Sequence, residues 1–117
     1  MLTYAIVLFA IAAVGGLTMA LMHFRSGSPP RVALAVLHGL FGASGLIVLL
    51  LTVFNAGAGR PAQVALGMFV LAAMGGFTLL SFHLRKRVLP DALVVGHGLL
   101  AVCAFAVLLA AVFIPGL

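Results

Sequence analysis

Four long apolar segments follow one another through this chain and leave little sequence outside them. They cover about residues 2–24, 31–54, 62–84 and 89–114. Each is longer than the roughly 20 helical residues that cross the hydrocarbon core of a bilayer. Hydrophobic residues make up 66% of the chain and charged residues 6%, which is outside the range of soluble domains. The segments predict an all-α membrane protein, a single transmembrane domain surrounded by the lipid bilayer.

Short connections separate the four segments, at about residues 25–30, 55–61 and 85–90. Each connection contains proline, which starts a helix without losing an internal hydrogen bond, and two contain glycine, which suits a helix end. Because the connections are short, consecutive helices should be antiparallel neighbours. The sequence therefore predicts a four-helix up-down-up-down transmembrane bundle.

The basic residues are distributed unevenly over these connections. Five of the six lie at the first and third connections, and Arg60 lies at the second. By the positive-inside rule, the first and third connections face the cytoplasm and both termini lie outside, as in a bacterial inner membrane. Topology and anionic lipid headgroups account for the net charge of +5, so we expect no nucleic-acid partner.

The chain contains an internal duplication. Residues 12–30 match 72–90 at an offset of sixty positions, and residues 33–54 match 92–113 at an offset of fifty-nine. Apolar composition alone would not reproduce polar residues in register. The matched polar and small residues are Gly15, Gly16, Thr18, His23, Arg25, Pro30, His38 and Gly39, with Gly75, Gly76, Thr78, His83, Arg85, Pro90, His97 and Gly98.

The duplication predicts how the two halves are related in space. Repeat 1 covers residues 1–55 and repeat 2 covers residues 61–114. Each repeat is a two-helix hairpin that begins and ends on the same side of the membrane. The fold is thus predicted to be a parallel duplication of that hairpin, with an axis along the membrane normal.

The four histidines form two layers in this arrangement. His38 and His97 each lie about 11 Å below the start of their helices, and they should face one another from helices 2 and 4 inside the hydrocarbon. His23 and His83 lie at the cytoplasmic ends of helices 1 and 3. Ionisable residues within a membrane are candidates for function. The alternative is that each deep histidine is neutral and bonded to a helix carbonyl or a threonine.

Small residues surround the deep histidines. Gly15-Gly16 and Gly75-Gly76, on helices 1 and 3, reach about the same depth, and Gly39 and Gly98 directly follow the two histidines. Close helix packing would also explain them. A flat macrocycle standing edge-on between four helices needs two axial imidazoles from opposed helices, with glycine on the other two. The pattern therefore favours one haem b whose iron is ligated by His38 and His97.

The arrangement resembles the haem-bearing four-helix core of membrane b-type cytochromes, such as cytochrome b of the quinol-oxidising respiratory complexes. In that family, histidines come from the second and fourth helices, and glycines on the first and third make room for the rings. The likeness rests on His38, His97 and the two double glycines. The family carries two histidines on each ligand helix, whereas this chain has one, so one haem is favoured over two.

The resemblance implies an electron-transfer protein or an oxidoreductase subunit. A quinone or a membrane redox protein would then be its partner, and a homodimer is a further alternative. The anionic propionates of the haem would point toward Arg25, Arg85, His23 and His83, where charge-assisted hydrogen bonds hold them. In a second arrangement His23 and His83 would ligate another haem near the surface.

Two other classes of protein remain open. In a small transporter or a proton- or metal-handling protein, the buried histidines would relay protons or bind zinc or copper, which requires them to converge. The sole acidic residue, Asp91, lies at the start of helix 4, where the helix dipole favours it. An accessory subunit of a larger complex could instead use single histidines to hold a pigment such as chlorophyll.

Overall fold

The structure, a computed structural model, describes residues 1–27, 30–114 and 116–117. Within these residues it contains four helices: α1 (Leu2–Ser26), α2 (Val32–Asn55), α3 (Arg60–Leu84) and α4 (Asp91–Phe113). Each is long and apolar enough to cross a membrane. The all-α class and the four candidate spans are therefore confirmed. Residues 28 and 29 of the first predicted connection lie outside the described residues.

The helix ends differ from the predicted apolar segments by a few residues. Helix α1 continues past the predicted span to Ser26, and Gly27 ends it with a left-handed backbone (φ 66°). Helix α4 begins at Asp91 rather than residue 89, because Pro90 is in an extended conformation (φ −64°, ψ 127°). Hydropathy indicates which residues lie in the membrane, whereas backbone conformation decides where a helix ends.

The four helices contact one another in a ring. Helices α1 and α3 each pack against both α2 and α4, and the contacts are most extensive within the pairs α1–α2 and α3–α4. Across one diagonal, Phe9 of α1 stacks on Phe69 of α3. Across the other, His38 of α2 faces His97 of α4. Helices α2 and α4, which carry the two predicted ligands, therefore approach each other through these histidine side chains.

Large apolar side chains cover the outside of the bundle. Val14, Leu17, Phe54 and Phe77 are each more than 60% exposed. Apolar surface on this scale marks a membrane or protein contact rather than a face in water. The exposed helices thus indicate a lipid bilayer environment.

The buried core occupies only one half of the helix bundle. Its hydrophobic members are Ala5, Phe9, Ala12, Leu49, Ala62, Ala65, Leu66, Phe69, Ala72, Ala104 and Leu108. By contrast, Pro30 is the one buried residue among the described residues of 13–44 and 73–103. The bundle therefore has a closely packed half and a loosely packed half, and the four histidines are all in the loosely packed one.

Buried positions recur at the offsets of the sequence repeat. The corresponding pairs are Ala5 and Ala65, Phe9 and Phe69, Ala12 and Ala72, Gly45 and Ala104, and Leu49 and Leu108. Phe9 and Phe69 stack with ring centroids 3.8 Å apart and planes 1° from parallel. Phe9 and Phe69, which are at matching positions of the two sequence repeats, thus meet at the centre of the closely packed half.

Replacing one ring of the Phe9–Phe69 stack with a smaller side chain should destabilise the protein. We expect Phe69→Leu to lower the free energy of unfolding by about 1 kcal/mol, because a packed aromatic contact is lost. Phe77→Leu is the matched control, since that ring is 71% exposed and its loss should change stability by less than about 0.5 kcal/mol. Unfolding of both variants in detergent micelles measures the difference. Equal effects would contradict the assignment of the core.

Candidate functional site

His38 and His97 face one another in the loosely packed half of the bundle. Their ring centroids are 6.1 Å apart and their planes are 85° from parallel. Both side chains are half-buried, and they come from α2 and α4, on opposite corners of the helix ring. The structure thus brings together the two residues that the sequence predicts as a pair.

Each imidazole makes the same hydrogen bond to the helix that precedes its own in the chain: His38 bonds to α1 and His97 bonds to α3. Nδ1 of His38 lies 2.7 Å from the carbonyl oxygen of Ala12, and Nδ1 of His97 lies 2.7 Å from that of Ala72. A carbonyl oxygen only accepts, so Nδ1 of each ring must carry the proton and donate it. In a neutral ring, Nε2 then has a free lone pair.

The two Nε2 atoms have no hydrogen-bond partner among the described residues. Neither Nε2 is a buried atom, and the carbonyl bonds are those of the alternative in which each deep histidine is neutral and structural. Metal-binding histidines characteristically donate their second ring N–H to a carbonyl or carboxylate, which fixes the tautomer and the orientation of the ring. Both His38 and His97 have this arrangement.

The distance between the two rings discriminates between kinds of metal site. A metal–nitrogen bond of about 2.0 Å places each ring centroid about 3.1 Å from the metal. Two ligands on opposite sides of one metal would therefore have centroids about 6.2 Å apart, and two ligands at a tetrahedral angle about 5.1 Å apart. The observed separation of 6.1 Å is close to the first of these two values, and the ring planes are 85° from parallel.

The double glycines lie against the imidazoles. A Cβ atom built on Gly16 would be 2.9 Å from Cε1 of His38, and one built on Gly76 would be 3.1 Å from Cε1 of His97. Non-bonded carbon atoms normally stay about 3.5 Å or more apart. A Cβ on Gly16 would force the ring of His38 to shift, and one on Gly76 would require the ring of His97 to give by a few tenths of an ångström. The clearance that these glycines provide is therefore for the imidazoles themselves.

The same glycines leave the accepting carbonyls accessible. In an α-helix, the carbonyl of Ala12 also accepts the backbone N–H of Gly16, four residues further on, and Ala72 is related in the same way to Gly76. Helical side chains lean toward the N-terminus and cover the turn before them. With no side chain at Gly16, the Ala12 carbonyl can accept a second hydrogen bond from His38.

The remaining predicted glycines contact the histidines less closely. A Cβ on Gly15 or Gly75 would be 3.6 Å from Cβ of the nearby histidine, which is ordinary van der Waals contact. A Cβ on Gly39 or Gly98 would meet no atom within 4 Å. Of these six predicted glycines, two are therefore positions where an added Cβ would press on an imidazole, and four are positions where it would fit.

The shallow histidines are in unequal surroundings. Nε2 of His23 lies 2.8 Å from Oδ1 of Asp91, at the start of α4. The imidazole of His83 has no such partner among the described residues. The position that corresponds to Asp91 in the first sequence repeat is Val32, which cannot form such a pair. No ring contact joins the shallow histidines in the described part of the chain.

The predicted arginines lie at the same end and are exposed. Nε of Arg85 donates a hydrogen bond of 3.2 Å to the carbonyl of Ser81, and its guanidinium lies 5.2 Å from the ring centroid of Phe82. Arg25 is exposed at the end of α1. The repeated threonines, Thr18 and Thr78, bond to carbonyls of their own helices.

Two features of the site had weak or no signals in the sequence. The carbonyls of Ala12 and Ala72 could not be identified, because every residue has a carbonyl. The partner of Asp91 was also missed. Its position beside the end of α1 offered a signal, because the only acid in a basic region should be paired, but several cations could have been its partner.

The described residues include no group of three or more His, Cys, Asp or Glu side chains that could hold a metal ion. The site therefore contains two imidazoles on opposite helices of the ring, each bonded through Nδ1 to a helix carbonyl. Such a pair can complete the coordination of a metal whose other ligands come from a flat macrocycle. Comparisons of the chain with protein-family models, with curated proteins and with solved structures found no match.

Proposed function

We propose that this protein is a small integral-membrane b-type cytochrome that holds one haem b between His38 and His97 and transfers electrons. One observation carries the proposal. The two imidazoles are 6.1 Å apart, and each uses Nδ1 to bond a helix carbonyl, which leaves Nε2 available. At this distance and in this tautomer, His38 and His97 would each have Nε2 available to hold one iron.

The residues around the pair have distinct roles in this proposal. His38 and His97 would ligate the iron, and the carbonyls of Ala12 and Ala72 hold both rings in place. Gly16 and Gly76 leave space for the rings. When bound, a haem with two axial histidines supplies a one-electron carrier whose iron has no free position for another ligand.

The packing of the bundle favours one haem over two. The half away from the histidines is filled by the Phe9–Phe69 stack and by the fully buried side chains of Leu49 and Leu108. That half contains no histidine. A complete electron path across the membrane within one chain is therefore not part of the proposal.

For the haem propionates, we propose a smaller set of contacts than the sequence predicts. Arg25, Arg85 and His83 are available to bind an anionic group. His23 already bonds Asp91 through Nε2, so only its Nδ1 remains. In its neutral form this nitrogen accepts rather than donates. We therefore assign the propionate contacts to the two arginines and His83.

We further propose an up-down bundle built by parallel duplication. Along α1, Phe9 contacts Gly45 and the later residue Gly15 contacts the earlier residue His38, as antiparallel neighbours would. The recurring buried positions support the duplication. We place the basic connections in the cytoplasm and both termini outside, with a quinone or another redox protein as the electron partner.

The alternatives explain the geometry less well. A zinc or copper site in a transporter needs three or four converging ligands, and the described residues provide only pairs. A chlorophyll takes one axial ligand, so two chlorophylls would not require their histidines to stand 6.1 Å apart. Both alternatives lack a reason for the observed distance.

A haemin titration of the purified protein tests the proposal. We expect saturation at one haem per chain and sharp low-spin absorption bands in the oxidised and reduced forms, because both axial positions are filled by imidazole. Bands that continue to grow to two haems per chain would contradict the single site. A colourless protein that binds no added haemin would overturn the proposal in favour of a transporter.

A further inference from the structure

One end of the bundle is strongly basic. We call it the basic end, and its cations, all exposed, are Arg25, Arg31, Arg85, Lys86 and Arg87. The chain has a single acidic residue, Asp91, and it is already bonded to His23. The other end of the bundle has only one cation, Arg60. The charge of the protein is thus concentrated on one small surface.

The connection between α3 and α4 holds two of these cations in a closed turn. The backbone N–H of Lys86 donates to the carbonyl of His83 at 3.1 Å, and that of Arg87 donates to the carbonyl of Phe82 at 2.9 Å. Lys86 has a left-handed backbone (φ 55°). These bonds fix Lys86 and Arg87 beyond the last residue of α3, so the two charges are presented in a defined place.

The paired histidines lie in the half of the bundle that leads to the basic end. The opposite half of the bundle is filled by the Phe9–Phe69 stack and by Leu49 and Leu108. On the side of the basic end, Pro30 is buried, whereas no residue of 13–27, 31–44 or 73–103 is. An electron carried at His38 and His97 should therefore be exchanged at the basic end.

From these observations we propose that the basic end is the docking surface for a soluble, acidic electron-transfer protein. The inference rests on the proposed function. The bundle measures 44 × 21 × 19 Å, so the end presents about 400 Å² and a complex would bury about 800 Å² in total, a size typical of transient redox encounters. Lipid headgroups would neutralise the same charges, but they cannot deliver an electron.

Electrostatic attraction explains how so small a surface could be effective. Complementary charge raises the rate of diffusional encounter by about 10-fold to 1,000-fold, and salt screens it. The reaction in question is a one-electron transfer, in which the partner loses one electron and the bis-histidine centre gains it, with no proton moved. Its bimolecular rate constant should therefore depend on the charges at the basic end and on ionic strength.

Reduced flavodoxin, a small acidic protein, is a suitable probe. The haem-loaded protein is placed in phosphatidylcholine nanodiscs, where both ends are in water and no anionic lipid is present. We expect the double variant Lys86→Glu/Arg87→Glu to lower the rate constant of haem reduction at least about 10-fold at low salt. Arg60→Glu, a charge reversal at the opposite end, should leave it within about twofold. High salt should remove the difference.

Four outcomes would overturn the inference: a rate constant independent of salt, an equal loss in Arg60→Glu, no loss in the double variant, or a loss only when phosphatidylglycerol is added. The last would assign these charges to lipid binding. Salt-sensitive chemical-shift changes in labelled flavodoxin measure docking without haem. A protein that binds no haem but still shifts flavodoxin through Lys86 and Arg87 would contradict the cytochrome while leaving the docking surface supported.

Discussion

Replacing either His38 or His97 with alanine is expected to abolish the low-spin haem spectrum completely. Each variant removes one of two opposed nitrogen ligands and leaves iron with one protein ligand. The affinity for haem should fall by more than the roughly 10–100-fold that loss of an outer hydrogen-bond partner costs a metal site. Absorption spectra of the oxidised and reduced variants, recorded after haemin titration, measure both effects.

His23 provides the matched control. His23→Ala removes an imidazole that lies in the same half of the bundle and has no assigned contact with haem, and we expect it to keep the low-spin bands. Added imidazole should restore the bands in His38→Ala, because it can occupy the space left by the side chain. A purely structural histidine would not be rescued in this way. Bands that persist in His38→Ala and His97→Ala would refute the ligand assignment.

The pairing of His38 with His97 could be predicted because the duplication and helix geometry determine it. A repeat places equivalent residues at equal depth, and a rise of 1.5 Å per residue gives that depth. The four apolar spans followed from composition in the same way. These properties depend on regular patterns along the chain, which a single sequence displays.

The hydrogen bonds of the site could not be predicted, because they depend on backbone atoms that every residue shares. Gly16 and Gly76 are predicted as space for a macrocycle, and in the structure they lie against the imidazoles. Gly39 and Gly98 are predicted as neighbours of the site, and a side chain there would meet no atom within 4 Å. Position beside a histidine in sequence does not determine which helix face a residue occupies.

The division of the bundle into a closely packed half and a loosely packed half could not be predicted from the amino-acid composition either. Phe9 and Phe24 lie on the same helix, yet Phe9 is 6% exposed and Phe24 is 52% exposed. In a chain surrounded by lipid, apolar residues face outward as readily as inward. Burial is therefore decided by which side chains fit together, as Phe9 does against Gly45 and Phe69.

Gly16→Ala should weaken haem binding by about 10-fold to 100-fold, because its Cβ would displace the ring of His38 and strain the bond to Ala12. The contact at Gly76 is 0.2 Å longer (3.1 against 2.9 Å), so Gly76→Ala should have a smaller effect. Haemin titration of the single variants and of the double variant measures the two losses. A low-spin band that shifts or broadens in Gly16→Ala would report the displaced ligand directly.

Gly15 and Gly39 test whether the loss of haem affinity in Gly16→Ala comes from the close contact between the added Cβ and the ring of His38. Gly15→Ala adds a methyl group at ordinary contact distance, and Gly39→Ala adds one where no atom lies within 4 Å. Both should retain wild-type affinity for haem, and both should gain up to about 1 kcal/mol of stability from the helix propensity of alanine. If Gly39→Ala weakened binding as much as Gly16→Ala, the haem would lie against the outer face of α2 rather than between the paired histidines. Because all three variants make the same chemical change, only the surroundings of each glycine can produce a difference among them.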